Sequence, residues 1–404
     1  MSTGRWRAGQ AGGSGRRAAA GGEGTRRTAL ALGVLVAGLL AMRAAAPLVE
    51  PPASMRAPAA GAALASAPAA AAVARPAPLA EATRASLFLD TDDGLFLVNP
   101  DRRSVRRMRL PGGGSGDGDG GLVGRDGVVV AVRGGAAYAA ASRSGRPPAV
   151  RLGPASYAIA SARPGRVWLV EETGDPDRWF RVREAAIGRA DAAASVQSAA
   201  ATPAAGGTLP LGQRPVAGTP GGLLVHLVGP AGGLAVWDPR SGRLGRRLAT
   251  GTPLTVVAAS GHAVAWVEGS ALHLGDLATG RDRVVAPPGG SEGFAAPGAF
   301  SPDGRTLAAI TRVGFSTRPA LALVAVDQAS AVRVDGSEGA LSDRCSPCLA
   351  WAPAGDWVFF SRLGPGFAIG AYRLGRPRAV TVPVDVPGSY PPSFAALAAA
   401  SSRR

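Results

Sequence analysis

The 404-residue sequence contains no lysine, only three histidines and only two cysteines. Histidine is the side chain that titrates most readily near neutral pH, so three of them leave little for acid–base catalysis. We find no Ser-His-Asp set, no Gly-x-Ser-x-Gly elbow, no phosphate loop and no histidine-rich metal cluster. The absence of lysine indicates a high-GC codon bias, since arginine supplies every strongly basic side chain. These absences favour a protein without catalysis, and we expect neither a cofactor nor a metal.

The N-terminal region has the charge pattern of an export or anchoring signal. Residues 1–27 are rich in glycine, alanine and arginine, which predicts a disordered tail. The uncharged run 28–42 is short for a membrane-spanning helix, which needs about 20 residues, but it extends to residue 49 if Arg43 reaches the interface. The positive charges before the run place the tail in the cytoplasm. We predict a single-pass anchor over 28–49, with a cleaved signal peptide and secretion as the alternative.

The next segment differs sharply in composition from the rest of the chain. Residues 50–85 are dominated by alanine and proline, a composition typical of an extended linker. From residue 86 onward, short apolar runs alternate with turns that contain Gly, Pro, Asn and Asp. We therefore predict four parts: a tail over 1–27, an anchor over 28–49, a linker over 50–85 and a β domain over 86–404. The β domain would lie outside the cytoplasm.

One phrase recurs along the β domain: a strand, a short polar turn and a basic strand. It occurs at 234–248 and 272–285, with weaker copies at 321–334 and 367–382 and a first copy at 95–110. Internal repeats of 30 to 50 residues are typical of propellers and solenoids, and four short strands per unit favour the propeller. We predict an all-β, seven-bladed β-propeller of four-stranded blades over 86–110, 122–152, 156–211, 216–250, 254–286, 296–335 and 348–386.

The segment 299–310, Ala-Phe-Ser-Pro-Asp-Gly-Arg-Thr-Leu-Ala-Ala-Ile, indicates a strand, a tight turn and a second strand. Pro302 suits the second position of a type I turn, Asp303 the third and Gly304 the fourth, after Ser301. A degraded copy at 349–361 has Pro353 and Gly355 at the matching positions. The phrase resembles the first hairpin of a blade in TolB-like and WD-repeat β-propellers. That resemblance covers about residues 86–386.

The first blade starts with what reads as its second strand, so it lacks an innermost strand. Unpaired backbone groups and an open edge would result. Residues 393–400 come after the seventh blade and are small and apolar. We predict that they complete the first blade beside residues 86–89. An Ala-rich insertion over 185–207 in the third blade is expected to form a surface loop.

Cys345 and Cys348 form the single Cys-x-x-Cys pair. An exported location favours oxidation, so we predict a short disulfide that stiffens the loop before the last blade. Free thiols are the first alternative. A redox dithiol would require its first thiolate at a helix N-terminus, and a closed zinc site would require four ligands.

A basic strip in the first blade contains five arginines: Arg102, Arg103, Arg106, Arg107 and Arg109. The simplest interpretation is an outer edge strand protected by charge against aggregation. The functional alternative is that the strip contacts anionic lipid or a cell-wall polymer. No compact basic helix and no interleaved aromatic residues support nucleic-acid binding, despite a formal net charge of +16.

Other candidates favour structure over chemistry. The acidic stretches 90–94 and 116–121 lack the bidentate Glu that closes a calcium loop, so we interpret both as turns. Several large aromatic residues fall on strand positions and are expected in the core between blades: Trp168, Trp237, Trp266, Trp351, Trp357 and Phe300. Trp179 and Phe180 lie in a charged hairpin and are expected to be partly exposed.

TolB-like and WD-repeat propellers serve as protein-interaction platforms, so the resemblance implies a binding role. We predict a membrane-tethered, extracytoplasmic scaffold whose partner is another envelope protein or a cell-wall polymer. One alternative is a propeller enzyme of the lactonase or quinoprotein-dehydrogenase type, which needs metal ligands or a stacked cofactor at the channel mouth. The other is a glycan or small-ligand binder.

Overall fold

The computed structural model describes residues 79, 81–110, 121–125, 127–141, 149–187, 206–229, 232–250, 254–312, 318–340, 348–363, 367–385, 388 and 393–398. The predicted tail and anchor, and nearly all of the predicted linker, lie outside these residues. Within the described ranges, no helix combines the length and the apolar character that crossing a bilayer requires.

The regular secondary structure of the described chain is almost entirely β-strand. The first strands are β1 (Ala85–Thr91), β2 (Gly94–Asn99), β3 (Ser104–Met108), β4 (Leu122–Arg125), β5 (Val128–Arg133), β6 (Ala136–Ala141), β7 (Val150–Pro154), β8 (Tyr157–Ala160), β9 (Arg166–Glu172), β10 (Phe180–Ala186), β11 (Gly206–Leu209), β12 (Gln213–Thr219), β13 (Gly222–Leu227) and β14 (Gly233–Asp238). The remaining strands are β15 (Arg243–Thr250), β16 (Leu254–Ser260), β17 (Ala263–Glu268), β18 (Ala271–Asp276), β19 (Asp282–Val285), β20 (Gly293–Phe300), β21 (Thr306–Arg312), β22 (Ala320–Ala325), β23 (Ser330–Arg333), β24 (Leu349–Trp351), β25 (Trp357–Leu363), β26 (Phe367–Arg373), β27 (Val380–Thr381) and β28 (Ser393–Ala398). One 3₁₀ turn spans Pro176–Arg178.

These strands form seven antiparallel sheets of four strands, which are the blades of a propeller. Blades 2 to 7 each use four consecutive strands, which we letter A to D from the innermost outward. The A strands are β4, β8, β12, β16, β20 and β24. Each A strand contacts the A strands of both neighbouring blades, and β28 contacts β4 and β24, so the seven form a closed ring. The predicted seven-bladed, TolB-like or WD-repeat-like architecture is confirmed.

The first blade is assembled from both ends of the domain, in the order β28-β1-β2-β3. In the antiparallel pairing of β28 with β1, Leu87 lies opposite Ala396 and Leu89 opposite Phe394. The prediction that this C-terminal segment completes the first blade is confirmed for residues 393–398. Pairing with β28 satisfies the backbone groups of β1 that would otherwise form an open edge.

Seven hydrophobic clusters hold the described blades together, one at each blade–blade interface. The cluster between blades 7 and 1 contains Leu89 and Phe394 from blade 1 and Phe359 from blade 7, each buried to 99% or more. Both faces of these sheets pack on a neighbouring blade, so the strands are continuously apolar. The β5 sequence Val-Val-Val-Ala-Val-Arg, with all six residues buried, is an example.

The Ser-Pro-Asp-Gly segment joins β20 to β21 as predicted. The Gly304 N–H donates to the Ser301 carbonyl over 2.8 Å and Gly304 has φ +72°, a left-handed conformation that favours glycine. The Ser301 hydroxyl donates to Asp303 Oδ1 over 2.6 Å and accepts from the Thr306 N–H over 3.0 Å. In blade 7, the predicted copy joins β24 to β25 through a bond from the Gly355 N–H to the Ala352 carbonyl.

Two blades begin earlier than the sequence indicated, and one insertion is shorter. Blade 4 begins at Gln213 and blade 6 at Gly293, ahead of the predicted residues 216 and 296. Each of these A strands contains a register shift, which interrupts the alternation that marks a strand. The ends of the predicted insertion 185–207 belong to strands β10 and β11, and residues 188–205 lie outside the described residues.

The segment before β1 fastens blade 1 to blade 7. The Asp101 carboxylate accepts the backbone N–H groups of Thr83 and Arg84 at 2.7 and 3.0 Å. Glu81 forms ion pairs with Arg373 and Arg376 of blade 7. This lead-in segment therefore spans the interface at which the ring closes.

Candidate functional site

The strand order defines two faces of the ring. We call the upper face the one formed by the B–C loops and by the connections from each D strand to the next blade. The lower face contains the A–B and C–D turns. The lead-in segment reaches β1 on the lower face, because Ala85 pairs with Ala398 at that end of the sheet.

Three hydrogen-bonded loops form a continuous backbone surface on the upper face of blades 3 and 4. The B–C loop 173–179 contains the 3₁₀ turn, whose N-cap Asp175 accepts the Asp177 N–H over 3.0 Å. The Leu211 N–H donates to the Pro176 carbonyl over 2.9 Å. The Val228 N–H in turn donates to the Gly212 carbonyl over 2.8 Å. These bonds fix the three loops relative to one another.

The same loops carry two of the most exposed large apolar side chains among the described residues. Leu211 is 59% exposed and Val228 is 62% exposed. Trp179, at the end of the 3₁₀ turn, is half-buried and packs against the cluster between blades 3 and 4. Their backbones are joined by hydrogen bonds within the same loop system, so this part of the surface is apolar and rigid.

Polar and aromatic groups from the neighbouring A and B strands complete the surface. The Arg214 guanidinium lies 5.8 Å from the centre of the Tyr157 ring, in a cation–π arrangement between blades 4 and 3. The Tyr157 hydroxyl donates to the Pro215 carbonyl over 3.2 Å. His226 is the cross-strand neighbour of Arg214. We define the blade 3–4 platform as Tyr157, Trp179, Leu211, Arg214, His226 and Val228.

The platform carries one fixed positive charge and two neutral titratable groups at neutral pH. Burial raises the pKa of Tyr157 above its usual value, so the phenol stays protonated. Burial, with help from Arg214, lowers the pKa of His226, so the imidazole stays uncharged. Arg214 is exposed and forms no ion pair within the part of the chain that the structure describes. Arg214 is therefore available to an anionic group of a partner.

The predicted site residues do not converge on the platform. Arg102, Arg103, Arg106, Arg107 and Arg109 are all exposed, and β3 is the outermost strand of blade 1, where the sequence placed the basic strip. Ser301, Pro302, Asp303 and Gly304 form a turn on the lower face. Cys348 is fully buried just before β24, whereas Cys345 lies outside the described residues, so the disulfide stays a prediction.

The aromatic residues lie where the sequence predicted, with one exception. Trp168, Trp237, Trp266, Trp351 and Trp357 are at most 6% exposed and lie on strands. Phe300 is half-buried and packs against the cluster between blades 5 and 6. Phe180 was expected to be partly exposed, but it is 4% exposed. It packs edge-to-face on Tyr157, with ring centres 6.5 Å apart, because blade 4 covers this side of β10.

The platform was not predicted from the sequence. Leu211 was assigned to the end of blade 3, and Arg214 lay between two predicted blades. Residues 211–215, Leu-Gly-Gln-Arg-Pro, do provide a sequence signal. Here a turn leads into an A strand that begins with polar residues, whereas the neighbouring A strands are mainly apolar. No group of three or more potential metal ligands occurs within the described ranges.

No family model and no curated protein sequence matches the chain. Similar solved structures include a protein of Bacteroides fragilis proposed to be a 6-phosphogluconolactonase, with 15% identity, TM-score 0.48 and coverage of 77% of this chain and 97% of that one. TolB of Acinetobacter baumannii shows 12% identity, TM-score 0.43 and coverage of 75% and 78%. The WD40 domain of Toxoplasma gondii coronin shows 12% identity, TM-score 0.41 and coverage of 81% and 90%. Likenesses this distant give no basis for assigning an activity.

Proposed function

We propose that this protein is a membrane-tethered, extracytoplasmic scaffold that binds another envelope protein through the blade 3–4 platform. The observation that carries the proposal is that exposed Leu211 and Val228 share one loop system with exposed Arg214, which contacts the Tyr157 ring and forms no ion pair among the described residues. Protein-binding surfaces combine apolar anchors, aromatic residues and arginine, with polar groups around them. The platform has this composition.

The rigidity of the platform also favours binding. Apolar side chains on hydrogen-bonded loops lose little conformational freedom when a partner covers them, so less of the binding free energy is spent on ordering. The lead-in segment reaches the propeller on the lower face, opposite the upper face that carries the platform. The expected partner segment presents an acidic group next to apolar side chains.

The docking role is tested by crosslinking in intact cells. Leu211 is replaced with a photoreactive benzophenone amino acid, and a matched protein carries the same group at Val332, which is 62% exposed on the outer strand of blade 6. We expect a discrete protein adduct from position 211 that Arg214→Glu abolishes. The Val332 position should give no such adduct.

A second pair of variants distinguishes binding through the platform from binding through any exposed apolar side chain. Leu211→Ser with Val228→Ser should weaken capture of the identified partner, whereas Val332→Ser with Val380→Ser should not. Equal effects of the two pairs, or an adduct insensitive to Arg214→Glu, would contradict a docking role for the platform. Absence of any protein adduct would favour the glycan or small-ligand alternative.

Protease accessibility tests whether the propeller is membrane-tethered and lies outside the cytoplasm. A C-terminal tag should be cut when protease is added to intact cells or spheroplasts, and the fragment left should stay with the membrane. A tag that survives in intact cells and spheroplasts and is cut only after lysis would contradict this topology.

A further inference from the structure

Arginine is distributed unevenly around the outer rim of the propeller. The outermost strands of blades 3 and 7, β11 and β27, contain none, those of blades 2, 5 and 6 contain one each, and β3 of blade 1 contains two. Strand β15 of blade 4 contains three. Protection of an edge strand against aggregation does not require this density, because other blades of the same ring manage without it.

Five exposed arginines form what we call the blade 4–5 strip: Arg240, Arg243, Arg246, Arg281 and Arg283. They lie on the C–D turns and outer strands of two adjacent blades. Arg246 of blade 4 reaches across to blade 5, because a Cβ added at Gly280 would lie 2.6 to 2.9 Å from its guanidinium atoms. Arg283 continues the strip toward blade 6 by donating to the Asp327 carbonyl over 2.7 Å.

Among the described residues these arginines form no ion pair within 4 Å, and the three nearby carboxylates are oriented by other groups, with Asp282 Oδ2 lying 3.2 Å from His273 Nδ1. Asp238 accepts the Arg240 N–H and the Ser241 hydroxyl of its own turn, at 2.9 and 2.8 Å. Asp276 accepts the backbone N–H groups of Ala278 and Thr279, at 2.7 and 3.1 Å. The guanidinium groups of the strip are therefore exposed and can donate to a ligand, apart from the one Arg283 donor that the Asp327 carbonyl accepts.

We propose that the blade 4–5 strip binds a linear polymer of repeating phosphodiester groups that carries no bases, such as poly(glycerol phosphate). Guanidinium groups bind phosphate oxygens through paired hydrogen bonds, which suits arginine better than lysine. Charges spread over two blades fit a repeating anion rather than a single ion. Leu244 and Val284 are the exposed large apolar side chains within the strip, so it offers no aromatic platform for nucleic-acid bases.

The test measures binding of the purified full-length chain to poly(glycerol phosphate). The strip variant carries Arg243→Gln, Arg246→Gln and Arg281→Gln. The control carries Arg151→Gln, Arg305→Gln and Arg318→Gln, which removes the same charge from exposed positions on blades 2 and 6. We expect the strip variant to bind at least about tenfold more weakly, and its salt dependence (log K against log salt) to become shallower by about 2. The control should change by less than about twofold.

A third protein, with lysine at the same three strip positions, tests folding and charge together. It should bind more tightly than the glutamine variant and melt at the same temperature as the parent. Equal weakening of the strip and control variants would show that net charge alone acts and would overturn the proposal. Single-stranded DNA bound as tightly as poly(glycerol phosphate), with the same dependence on the strip, would overturn the assigned polymer class.

Discussion

Blades 1 and 6 build the same four-stranded sheet by opposite routes. Blade 6 uses consecutive strands, and the turn of Ser301 to Gly304 joins its two inner strands locally. Blade 1 joins β28 to β1 across nearly the whole domain. The geometry is equivalent, but the entropic cost of bringing the strands together is larger for blade 1, because the closed loop is longer.

The two blades also differ in what fixes them to their neighbours. Blade 6 contacts blade 7 through apolar packing and a bond from Trp351 Nε1 to the Ala299 carbonyl, 2.8 Å long. Blade 1 adds ion pairs on both sides: Glu81 toward blade 7 and a buried pair of Asp90 with Arg133 of blade 2. Among the described residues, the blade that lacks chain continuity is thus the one of these two with ion pairs toward both neighbours.

The largest expected effect is loss of ring closure. A chain truncated after Gly388 lacks β28, so β1 loses its partner and the clusters on both sides of blade 1 lose Phe394 and Ala395. We expect the free energy of unfolding to fall by at least several kcal/mol, measured by urea denaturation. A chain truncated after Ala398 is the control. Equal melting temperatures for the two truncated chains would show that β28 does not stabilise the ring.

A matched pair of substitutions compares the two inner strands directly. Phe394 in β28 and Phe294 in β20 are both at most 1% exposed. Each change to alanine should therefore lower the free energy of unfolding by about 3–5 kcal/mol, because apolar burial is lost and a cavity is left behind. If Phe394→Ala cost far less than Phe294→Ala, the closing strand would be more loosely packed than the structure shows.

The buried pair between blades 1 and 2 should make stability depend on pH. Burial, only partly opposed by Arg133, raises the pKa of Asp90 from 3.8 to about 6. The folded state therefore binds the proton more tightly, and the free energy of unfolding should fall as pH rises from about 4 to about 6. Above that range the cost of the buried charge is constant.

Two substitutions at Asp90 separate its charge from its hydrogen bond. Asp90→Asn removes the titrating carboxyl but keeps an acceptor for Arg133, so it should flatten the pH profile between pH 4 and 7. Asp90→Ala removes the acceptor as well and should be destabilising. Thermal unfolding at pH 4 to 7 tests both substitutions. A parent protein whose stability does not change over this pH range would refute the raised pKa of Asp90 as the cause of the pH dependence.

The smallest expected effect concerns the turn of blade 6. Ser301→Ala gives it the residue that blade 7 has at the equivalent Ala352, and removes the bonds of the Ser301 hydroxyl with Asp303 and Thr306. We expect a loss of about 1 kcal/mol. Because the Ser301 hydroxyl is the main cause that lowers the pKa of Asp303, this pKa should rise, which NMR titration can follow. An unchanged Asp303 pKa would contradict the role given to Ser301.

The fold was predictable because its signals are local and repeated. Ser-Pro-Asp-Gly at 301–304 marks one hairpin, its copy marks another, and the missing inner strand of blade 1 indicated how the ring closes. The platform was not predictable, because Tyr157 and the Arg214–Pro215 pair meet only when two blades pack in the correct register. The bulge after Pro215 sets that register. Asp90 and Arg133 likewise meet from strands 43 residues apart, and nothing in either local sequence marks the pair.

The pairing of β28 with β1 has a consequence for the timing of folding. A ribosome that adds 5–20 residues per second makes β28 about 15 to 60 seconds after β1, since about 300 residues separate them. During that interval β1 exposes an edge that other chains can pair with. A nascent chain must therefore be shielded, or remain unfolded, until β28 has been made. Premature termination anywhere before Ser393 would release a chain whose β1 edge has no partner strand.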